Sequence, residues 1–216
     1  MTHQKRLSAP KHYPIQRKQN TYVSNIKGSR SSENAIPTVL FLRDVLEYAD
    51  TEKEAKRIVN QGDILRNGEP IRDIQEGVGI LDIIELPKTE ETYRGVRKGK
   101  YIEFIPVNDT KTVTKIVDKS VEQDDYIYRL HNGENYRTKD EYSTGNTLVF
   151  DNDTVEEVEL EEGSEVLVIK GKHSGKTGEL TEIKQRGHKK SGEVENGETF
   201  ETQLENLVAI KDIEVE

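Results

Sequence analysis

Residues 37–86, PTVLFLRDVLEYADTEKEAKRIVNQGDILRNGEPIRDIQEGVGILDIIEL, decide the fold. They predict two short helices followed by a pair of strands. In the first helix, Pro37 suits the opening turn, because a proline lacks the N–H that this turn leaves unpaired. Apolar residues then recur at helical spacing and predict one buried face. These residues are Val39, Leu42, Leu46 and Ala49.

The second helix is predicted to begin at a capping box and to end at a glycine. Thr51 and Glu54 have the spacing at which each side chain accepts a hydrogen bond from the other residue's backbone N–H. Gly62 is the expected left-handed cap at the other end. The buried stripe between them comprises Ala55, Ile58 and Val59.

The sequence predicts a hairpin after this helix and a group of cations on the helix surface. Asn67-Gly68 is a strong signal for a two-residue turn, between a strand over 63–66 and a return strand over 79–86. Burial of the helix stripe turns Lys53, Lys56 and Arg57 outward, and the preceding helix adds Arg43. Such a cluster is a candidate site for phosphates. A solvated helical face is the alternative interpretation.

A sequence pattern favours the phosphate site. Residues 54–68 read Glu-Ala-x-x-x-Val-x-x-Gly-x-Ile-x-x-Asn-Gly. This pattern resembles the small RNA-binding module named after bacterial ribosomal protein S-four. In that module two helices and the adjoining hairpin grip folded RNA. The resemblance therefore implies an RNA-binding module over residues 37–87.

Composition excludes several classes of protein. Leu, Ile, Val and Phe make up a quarter of the 216 residues, which is above the level of about 20% that is typical of disordered chains. The chain is therefore expected to fold, as small modules with thin cores. The absence of cysteine excludes disulfides and thiolate zinc sites and favours an intracellular location. No apolar run is long enough for a membrane span or a secretory signal.

The charge is unevenly distributed. The net charge is −9, but residues 1–30 contain seven lysines and arginines and no acid, which leaves −16 for the other 186 residues. A basic segment on an acidic body is typical of RNA-binding proteins from salt-loving archaea. A low-salt chain with an acidic protein partner would have a similar distribution.

The first 36 residues are predicted to form an extended, loosely ordered N-terminal arm. Pro10, Pro14 and Gly28 interrupt a stretch that has neither helical nor strand periodicity. Such an arm would run along RNA with its cations on phosphates. A disordered tail is the alternative interpretation. The candidate contacts in the arm are Lys5, Arg6, Lys11, His12, Arg17 and Lys18.

The beginning of the arm carries a second resemblance. Residues 3–12 read His-x-Lys-Arg-Leu-x-Ala-Pro-Lys-His, and Phe-Leu-Arg follows at 41–43. Both are similar to the small-subunit ribosomal protein S-four-e family of archaea and eukaryotes, and the similarity covers nearly the whole chain. It implies a cytoplasmic, structural constituent of the archaeal small ribosomal subunit. Such a protein stabilises folded 16S-type rRNA beside neighbouring ribosomal proteins. Family members are usually basic, whereas this chain is acidic.

The region 88–160 is predicted to be a mostly antiparallel β domain. Alternating strands are expected on both sides of a Lys98-Gly99-Lys100 turn. Further strands are expected over 112–121, 126–131, 146–151 and 155–160. Arg94 and Arg97 add to the cations at the turn, which either contacts RNA or is a solvated turn. The acids between 151 and 162 are expected to face away from RNA.

Residues 161–216 contain the third signal, VLVIKGKHSGKTGELTEI at 166–183. A strand enters a glycine-rich loop and a second strand leaves it. The pattern resembles the KOW motif, a loop on a small SH3-type β-barrel that contacts RNA or protein. The resemblance implies RNA contacts at Lys172, His173 and Lys176. It also leaves open an alternative function, a KOW-type factor that binds RNA polymerase or another protein.

A nucleotide-binding P-loop is excluded at this loop. The glycines at 171 and 175 are separated by three residues instead of the four that a P-loop requires. A strand, and not a helix, is predicted to follow, so the helix N-terminus that holds phosphates is missing.

No catalytic constellation is recognisable. The five histidines are scattered without metal-ligand spacing, and there is no nucleophile elbow. A pseudouridine synthase, which carries the same helical module, would need a large catalytic domain that these residues do not resemble. We therefore expect an α+β protein of several modules that is not an enzyme. It is expected to have no cofactor, no small-molecule substrate and no membrane partner.

Overall fold

The computed structural model describes residues 4–151, 154–187, 189–211, 213 and 215. The fold is mostly β, and the longest helix in these ranges has ten residues. The predicted α+β class therefore overstates the helical content. The chain divides into two compact units, of which the first comprises 1–96 and 100–110 and the second 97–99 and 111–216. The four-part division predicted from the sequence stays a prediction.

The described residues of the first unit form nine strands and two α-helices, together with a 3₁₀ turn over Arg6–Ser8. Their bounds are β1 Gln4–Lys5, β2 Tyr22–Val23, β3 Ala35–Pro37, α1 Thr38–Leu40, α2 Glu52–Gln61, β4 Leu65–Arg66, β5 Glu69–Pro70, β6 Gly77–Gly79, β7 Ile83–Leu86, β8 Glu91–Lys98 and β9 Tyr101–Pro106. β1 pairs with β2, and β3 pairs with β6. The remaining strands form a sheet in the order β5-β4-β7-β8-β9. The last two residues of β8 belong to the second unit.

The first helix is shorter than predicted. Pro37 ends β3 and caps α1, which continues into a π-helical turn over Phe41–Val45. In that turn the backbone N–H of Leu46 donates to the carbonyl of Phe41, five residues earlier, at 3.0 Å. Glu47, with φ of 57°, then leaves the helical region. The apolar spacing nevertheless identified the buried face, because Val39, Leu42 and Ala49 are all buried.

The predicted ends of α2 are confirmed. The hydroxyl of Thr51 accepts from the backbone N–H of Glu54, and the Glu54 carboxylate accepts from the N–H of Thr51, both at 3.3 Å. Gly62 caps the other end with φ of 74°. The Asn67-Gly68 turn is also present, but it joins β4 to β5. β7 pairs with the opposite edge of β4.

The N-terminal arm is packed, which corrects the prediction of a loosely ordered segment. Ala9 and Tyr13 are buried in the same core as α1 and α2. The Nε2 atom of His12 lies 3.0 Å from the carbonyl of Ala35. Arg30 forms an ion pair with Asp82 in which both side chains are at least 96% buried. Apolar residues too widely spaced to give a periodicity thus anchor the arm.

The strands β8 and β9, which the sequence assigned to the central domain, join the sheet of the preceding hairpin instead. β8 pairs with β7 in antiparallel register, with Ile84 opposite Tyr93. The backbone of β8 also approaches the end of β6, where the Leu81 N–H donates to the Gly95 carbonyl at 2.7 Å. A side chain at Gly95 would collide with this segment, because its Cβ would lie 2.0 Å from the Gly79 oxygen.

The part of the second unit that the structure describes forms two antiparallel sheets of five strands each. The strand bounds are β10 Thr112–Glu122, β11 Asp125–Leu130, β12 Asn135–Thr138, β13 Thr147–Asp151, β14 Thr154–Val158, β15 Glu165–Val168, β16 Thr177–Arg186, β17 Lys189–Asn196, β18 Glu198–Gln203 and β19 Leu207–Ala209. The sheets have the orders β12-β11-β10-β13-β14 and β18-β17-β16-β15-β19. β16 confirms the strand predicted after the glycine-rich loop. The KOW-like barrel stays a prediction.

A buried lysine joins the two sheets of this unit. Lys115, on β10, is 5% exposed. Its Nζ donates to the carbonyls of Leu204 and Glu205 at 2.9 and 3.2 Å and also to that of Leu207. These carbonyls lie in the turn Leu204–Asn206 and the start of β19. Three acceptors on one ammonium group offset part of the loss of its hydration.

Candidate nucleic-acid interface

The outward face of α2 presents three exposed cations. The capping box fixes where the helix begins, and the buried Ala55 and Val59 fix its orientation. Lys53, Lys56 and Arg57 are therefore exposed, as predicted. No acid among the described residues forms an ion pair with any of the three. These side chains are available to bind phosphates.

Glu54, an acid beside these cations, is hydrogen-bonded to the backbone at the start of α2. The Glu54 carboxylate accepts hydrogen bonds from the backbone of Asp50, at 2.8 Å, and of Thr51. These bonds, in that order, are the main reason why the pKa of Glu54 lies below its ordinary value. Its negative charge therefore offsets the unpaired N–H groups of the helix end.

The N-terminal arm contributes cations of two kinds. Lys5, Lys11 and Lys18 are exposed. Arg17 is turned inward, where its guanidinium donates to the carbonyls of Ala9 and Pro10 at 2.8 Å each. The arm therefore presents lysines to solvent and uses Arg17 to hold its own backbone.

Arg6 and His12 do not lie where the sequence predicted. Both are buried, with 6% and 4% of their surface exposed. His12 lies against Ala35 and packs edge-on against Tyr13, with 5.1 Å between the ring centroids. Arg6 and His12 are basic, which predicted surface positions. The neighbouring Ala9 and Tyr13 pack in the core, and this stretch is buried with them. Neither side chain is exposed, and their contact with RNA stays a prediction.

Arg43 is paired with the next residue in the chain. Its Nη2 lies 2.7 Å from a carboxylate oxygen of Asp44. Both residues line an open cleft of about 870 Å³, where Glu47, Asp50 and Glu52 add further negative charge. The acids outnumber the cations in this cleft, so it is a poor site for phosphate.

The glycine-rich loop between β15 and β16 places its three predicted residues differently. Lys172 and Lys176 are exposed. His173 is half-buried and stacks on Phe200, with 4.4 Å between ring centroids and 17° between ring planes. The Nζ of Lys176 lies 5.4 Å from the centroid of the same ring. The sequence indicated the cations but not Phe200, which braces the loop from β18.

The cations around the Lys98-Gly99-Lys100 turn differ in their burial. Arg94 is fully buried and ion-paired with Asp109. Lys98 is exposed and lies at the end of β8 that belongs to the second unit. The backbone of this end contacts the glycine-rich loop at Ser174. Sequence spacing gave no signal for this contact, since 75 residues separate its two partners.

The whole chain is similar to curated ribosomal proteins. No model of a known protein family matches it. A small ribosomal subunit protein eS4 from Halobacterium salinarum is 36% identical to it over 99% of this chain and 97% of the relative. The chain belongs to the eS4 family. This finding confirms the resemblance carried by residues 3–12 and 41–43.

Other members of the eS4 family and a solved structure agree. The eS4 protein of Archaeoglobus fulgidus is 34% identical over 84% of this chain and 80% of its own length. The crystal structure of 30S ribosomal protein S4e from Thermoplasma acidophilum has a TM-score of 0.69 at 22% identity. The superposed residues make up 82% of this chain and 95% of the Thermoplasma acidophilum chain. The mostly β fold is therefore that of S4e.

The excess negative charge of this eS4 family member lies in one of its units. The first unit contains 16 lysines and arginines and 16 acids, whereas the second contains 16 and 25. The first unit is thus neutral overall, and its exposed cations are not outweighed by acids. The second unit carries the whole net charge of −9.

Within the described part of the chain, no group of three or more histidines and acids is arranged to hold a metal ion. None of the helices described there has the length and apolar composition needed to cross a bilayer.

Proposed function

We propose that this protein is a structural constituent of the archaeal small ribosomal subunit and that it binds and stabilises folded 16S-type rRNA. Its partners are rRNA and neighbouring small-subunit proteins, and its location is the cytoplasmic ribosome. It is not a catalyst. Membership of the eS4 family over 99% of the chain is the observation that carries the proposal.

The distribution of exposed cations supports rRNA as the ligand. Six of them, Lys5, Lys11, Lys18, Lys53, Lys56 and Arg57, lie in the first unit. That unit has no net charge to repel phosphates, unlike the second. Neutralisation of phosphates releases counterions and supplies most of the affinity of such proteins. The two arginines and the histidine of the arm that face inward are left out of the proposed contact set.

The proposed mechanism combines charge with shape. α2, with its capped ends, holds three cations in fixed positions on one helix face. The packed arm holds its three lysines on the same unit, because Ala9 and Tyr13 anchor the backbone between them. A rigid arrangement of cations reads the spacing of phosphates in a folded RNA without reading its bases.

Sedimentation of the full-length protein with ribosomes tests the proposal. The tagged protein is expressed in a halophilic archaeon, and lysates are separated on sucrose gradients before and after a high-salt wash of the ribosomes. The expected result is that the protein stays with the small subunit after the wash. Recovery of the protein with RNA polymerase, and its loss from ribosomes, would instead support the KOW-type factor.

A further inference from the structure

Arg17 binds the carbonyls of the turn at the start of the N-terminal arm. Two nitrogens of its guanidinium group donate, Nη1 to the carbonyl of Ala9 and Nη2 to that of Pro10, both at 2.8 Å. Nη1 also lies 3.5 Å from the carbonyls of Arg6 and Leu7. A planar guanidinium that meets two successive carbonyls fixes their orientation, whereas the ammonium group of a lysine acts as a point charge.

The turn is short, and its central side chain is exposed. It is a 3₁₀ turn over Arg6–Ser8, closed by the N–H of Ala9, which donates to the Arg6 carbonyl at 3.3 Å. Leu7 is 72% exposed, so burial of this side chain does not hold the turn. The last carbonyls of any helical turn lack partners within the turn. Arg17 supplies donors to the carbonyls at this end.

Two exposed lysines flank the turn. Lys5 directly precedes it, and Lys11 directly follows Pro10. In the described part of the chain, neither lysine forms an ion pair with an acid. The first 30 residues contain no acid. Both lysines are therefore able to bind phosphates.

The conformation between the two lysines depends on Arg17. Ala9 and Tyr13 bury their side chains in the core of the first unit. Burial of a methyl group holds the position of Ala9, but it does not orient the neighbouring carbonyls. The guanidinium of Arg17 fixes that orientation, and with it the directions in which Lys5 and Lys11 leave the turn.

We propose that Arg17 is a positioning residue for RNA binding, which holds the turn so that Lys5 and Lys11 meet two phosphates of the rRNA backbone at a fixed spacing. The proposal rests on the proposed function and deepens it. Arg17 itself contacts carbonyls of the arm and not the RNA. A turn that is ordered before binding loses less entropy when the complex forms.

Hydrogen exchange of the free protein tests whether Arg17 holds the turn. The amide of Ala9 closes the turn, whereas the amide of Arg6 donates outside it, to the Thr21 carbonyl at 3.0 Å. Arg17→Gln and Arg17→Lys are each expected to speed exchange at Ala9 and to leave exchange at Arg6 unchanged. Exchange at Ala9 that stays as slow in both variants as in the unaltered protein would overturn the proposal.

The lysine variant separates position from charge. Binding of the full-length protein to a transcript of Halobacterium salinarum small-subunit rRNA is measured at several salt concentrations. Arg17→Lys and Arg17→Gln are expected to lower the affinity alike, by about three- to tenfold, the loss of one or two lysine–phosphate contacts. Lys139→Gln, which removes an exposed cation of the second unit, serves as the control. An Arg17→Lys variant that keeps its affinity while Arg17→Gln loses it would show that only the charge matters, and the proposal would be wrong.

A double-mutant cycle tests whether Arg17 acts through the two lysines. The double variant Lys5→Gln, Lys11→Gln is expected to lower the affinity about tenfold and to reduce the slope of log K against log salt by about two. Adding Arg17→Gln to it should cause little further loss, because no lysine is left to position. Losses that add would mean that Arg17 binds RNA independently of the lysines, and they would overturn the proposal.

A variant at Ser8 keeps the test valid if the arginine variants do not fold. The Ser8 hydroxyl donates to the Lys5 carbonyl at 2.8 Å and so holds the other end of the same turn without any charge. Ser8→Ala is expected to lower the affinity about two- to fivefold, the equivalent of one weak hydrogen bond. It should have no effect in the double variant of Lys5 and Lys11. An unchanged affinity of Ser8→Ala would then decide against the proposal.

A separate variant distinguishes failure of this proposal from failure of the proposed function. The triple substitution Lys53→Gln, Lys56→Gln and Arg57→Gln is measured on the same transcript. If it weakens binding while the variants of the arm do not, the protein binds rRNA and the role proposed for Arg17 is wrong. If the unaltered protein has no affinity for the transcript, both proposals are wrong.

Discussion

The Nε of Arg30 donates a hydrogen bond of 2.7 Å to Asp82 Oδ2, between side chains that are both almost fully buried. Asp82 also accepts from the Asn67 side chain at 3.0 Å and the Gly79 N–H at 2.8 Å. One carboxylate thus connects the arm, the turn after β4 and the end of β6. Removal of either charge leaves the other buried without its partner.

Asp82→Asn is expected to lower the free energy of unfolding at neutral pH by about 3–5 kcal/mol, the usual cost of breaking a buried ion pair. The exposed pair Lys27–Asp73, at 3.0 Å, also joins the arm to this region and supplies the control. Lys27→Ala is expected to cost under about 1 kcal/mol. Urea unfolding measures both values, and equal costs would contradict the structural role assigned to Asp82.

The Arg30–Asp82 pair also predicts how the free energy of unfolding changes with pH in the acidic range. Burial disfavours the charged Asp82, but the hydrogen bond and charge of Arg30 outweigh it, so the pKa of Asp82 is below its ordinary value. Its contribution to stability is therefore complete above the unfolded pKa of about 3.9 and is lost as the pH falls through the lower folded pKa. Between pH 6 and pH 2, the unfolding free energy of Asp82→Asn should fall less steeply than that of the unaltered protein. Parallel curves would exclude this linkage.

The cations of α2 are expected to account for part of the salt dependence of rRNA binding. The triple glutamine variant at 53, 56 and 57 removes three phosphate contacts, which should reduce the slope of log K against log salt by about 2–3. The fold is retained, because the three side chains are exposed and the capping box is untouched. Filter binding between about 50 and 200 mM salt measures the slope. A slope equal to that of Lys139→Gln would remove α2 from the interface.

The lysines of the arm make a second, independent contribution. Lys5, Lys11 and Lys18 changed together to glutamine should again reduce the slope by about 2–3. Deletion of residues 1–30 is a poorer experiment, because it removes the buried Tyr13 and Arg30 from the first unit. The melting temperature of the triple variant should match that of the unaltered protein. A lowered affinity with an unchanged slope would point to lost structure instead of lost phosphate contacts.

Lys115 predicts that stability also rises with pH in the alkaline range. Burial lowers its pKa from 10.5 to about 8, an effect that the charge of Glu205 partly offsets. Between these two pH values the unfolded chain binds more protons than the folded one, so stability from this group rises with pH. The unfolding free energy of the unaltered protein, minus that of Lys115→Met, should rise by on the order of 2 kcal/mol between about pH 7.5 and 10. A difference that shrinks would mean that the three carbonyls favour the ammonium form.

Local signals in the sequence predicted the parts of the fold that short-range physics determines. The capping box at Thr51, the left-handed Gly62 and the Asn67-Gly68 turn all depend on neighbours within four residues, and all are present. The predicted pairing of 63–66 with 79–86 is confirmed between β4 and β7. The sequence missed β5, which the Asn67-Gly68 turn joins to the other edge of β4.

The candidate site was predictable to a similar degree. The outward face of α2 followed from helical periodicity. The burial of Arg6 and His12 did not, because it depends on contacts such as that with Ala35, 23 residues further along the chain. The contact between Gly99 and Ser174 left no trace in the local sequence for the same reason. A residue's charge indicates that it prefers water, but tertiary contacts decide whether it reaches water.

The Arg30–Asp82 pair has a consequence for synthesis of the chain. The arm is translated first, yet its buried contacts are with residues as late as 82, and the backbone around Leu81 is in turn bonded to Gly95. The arm therefore cannot reach its final conformation until β8 has left the ribosomal exit tunnel. During that interval its seven cations are exposed on a nascent chain beside the rRNA of the translating ribosome. The residues made earliest therefore fold no sooner than β8, which is made much later.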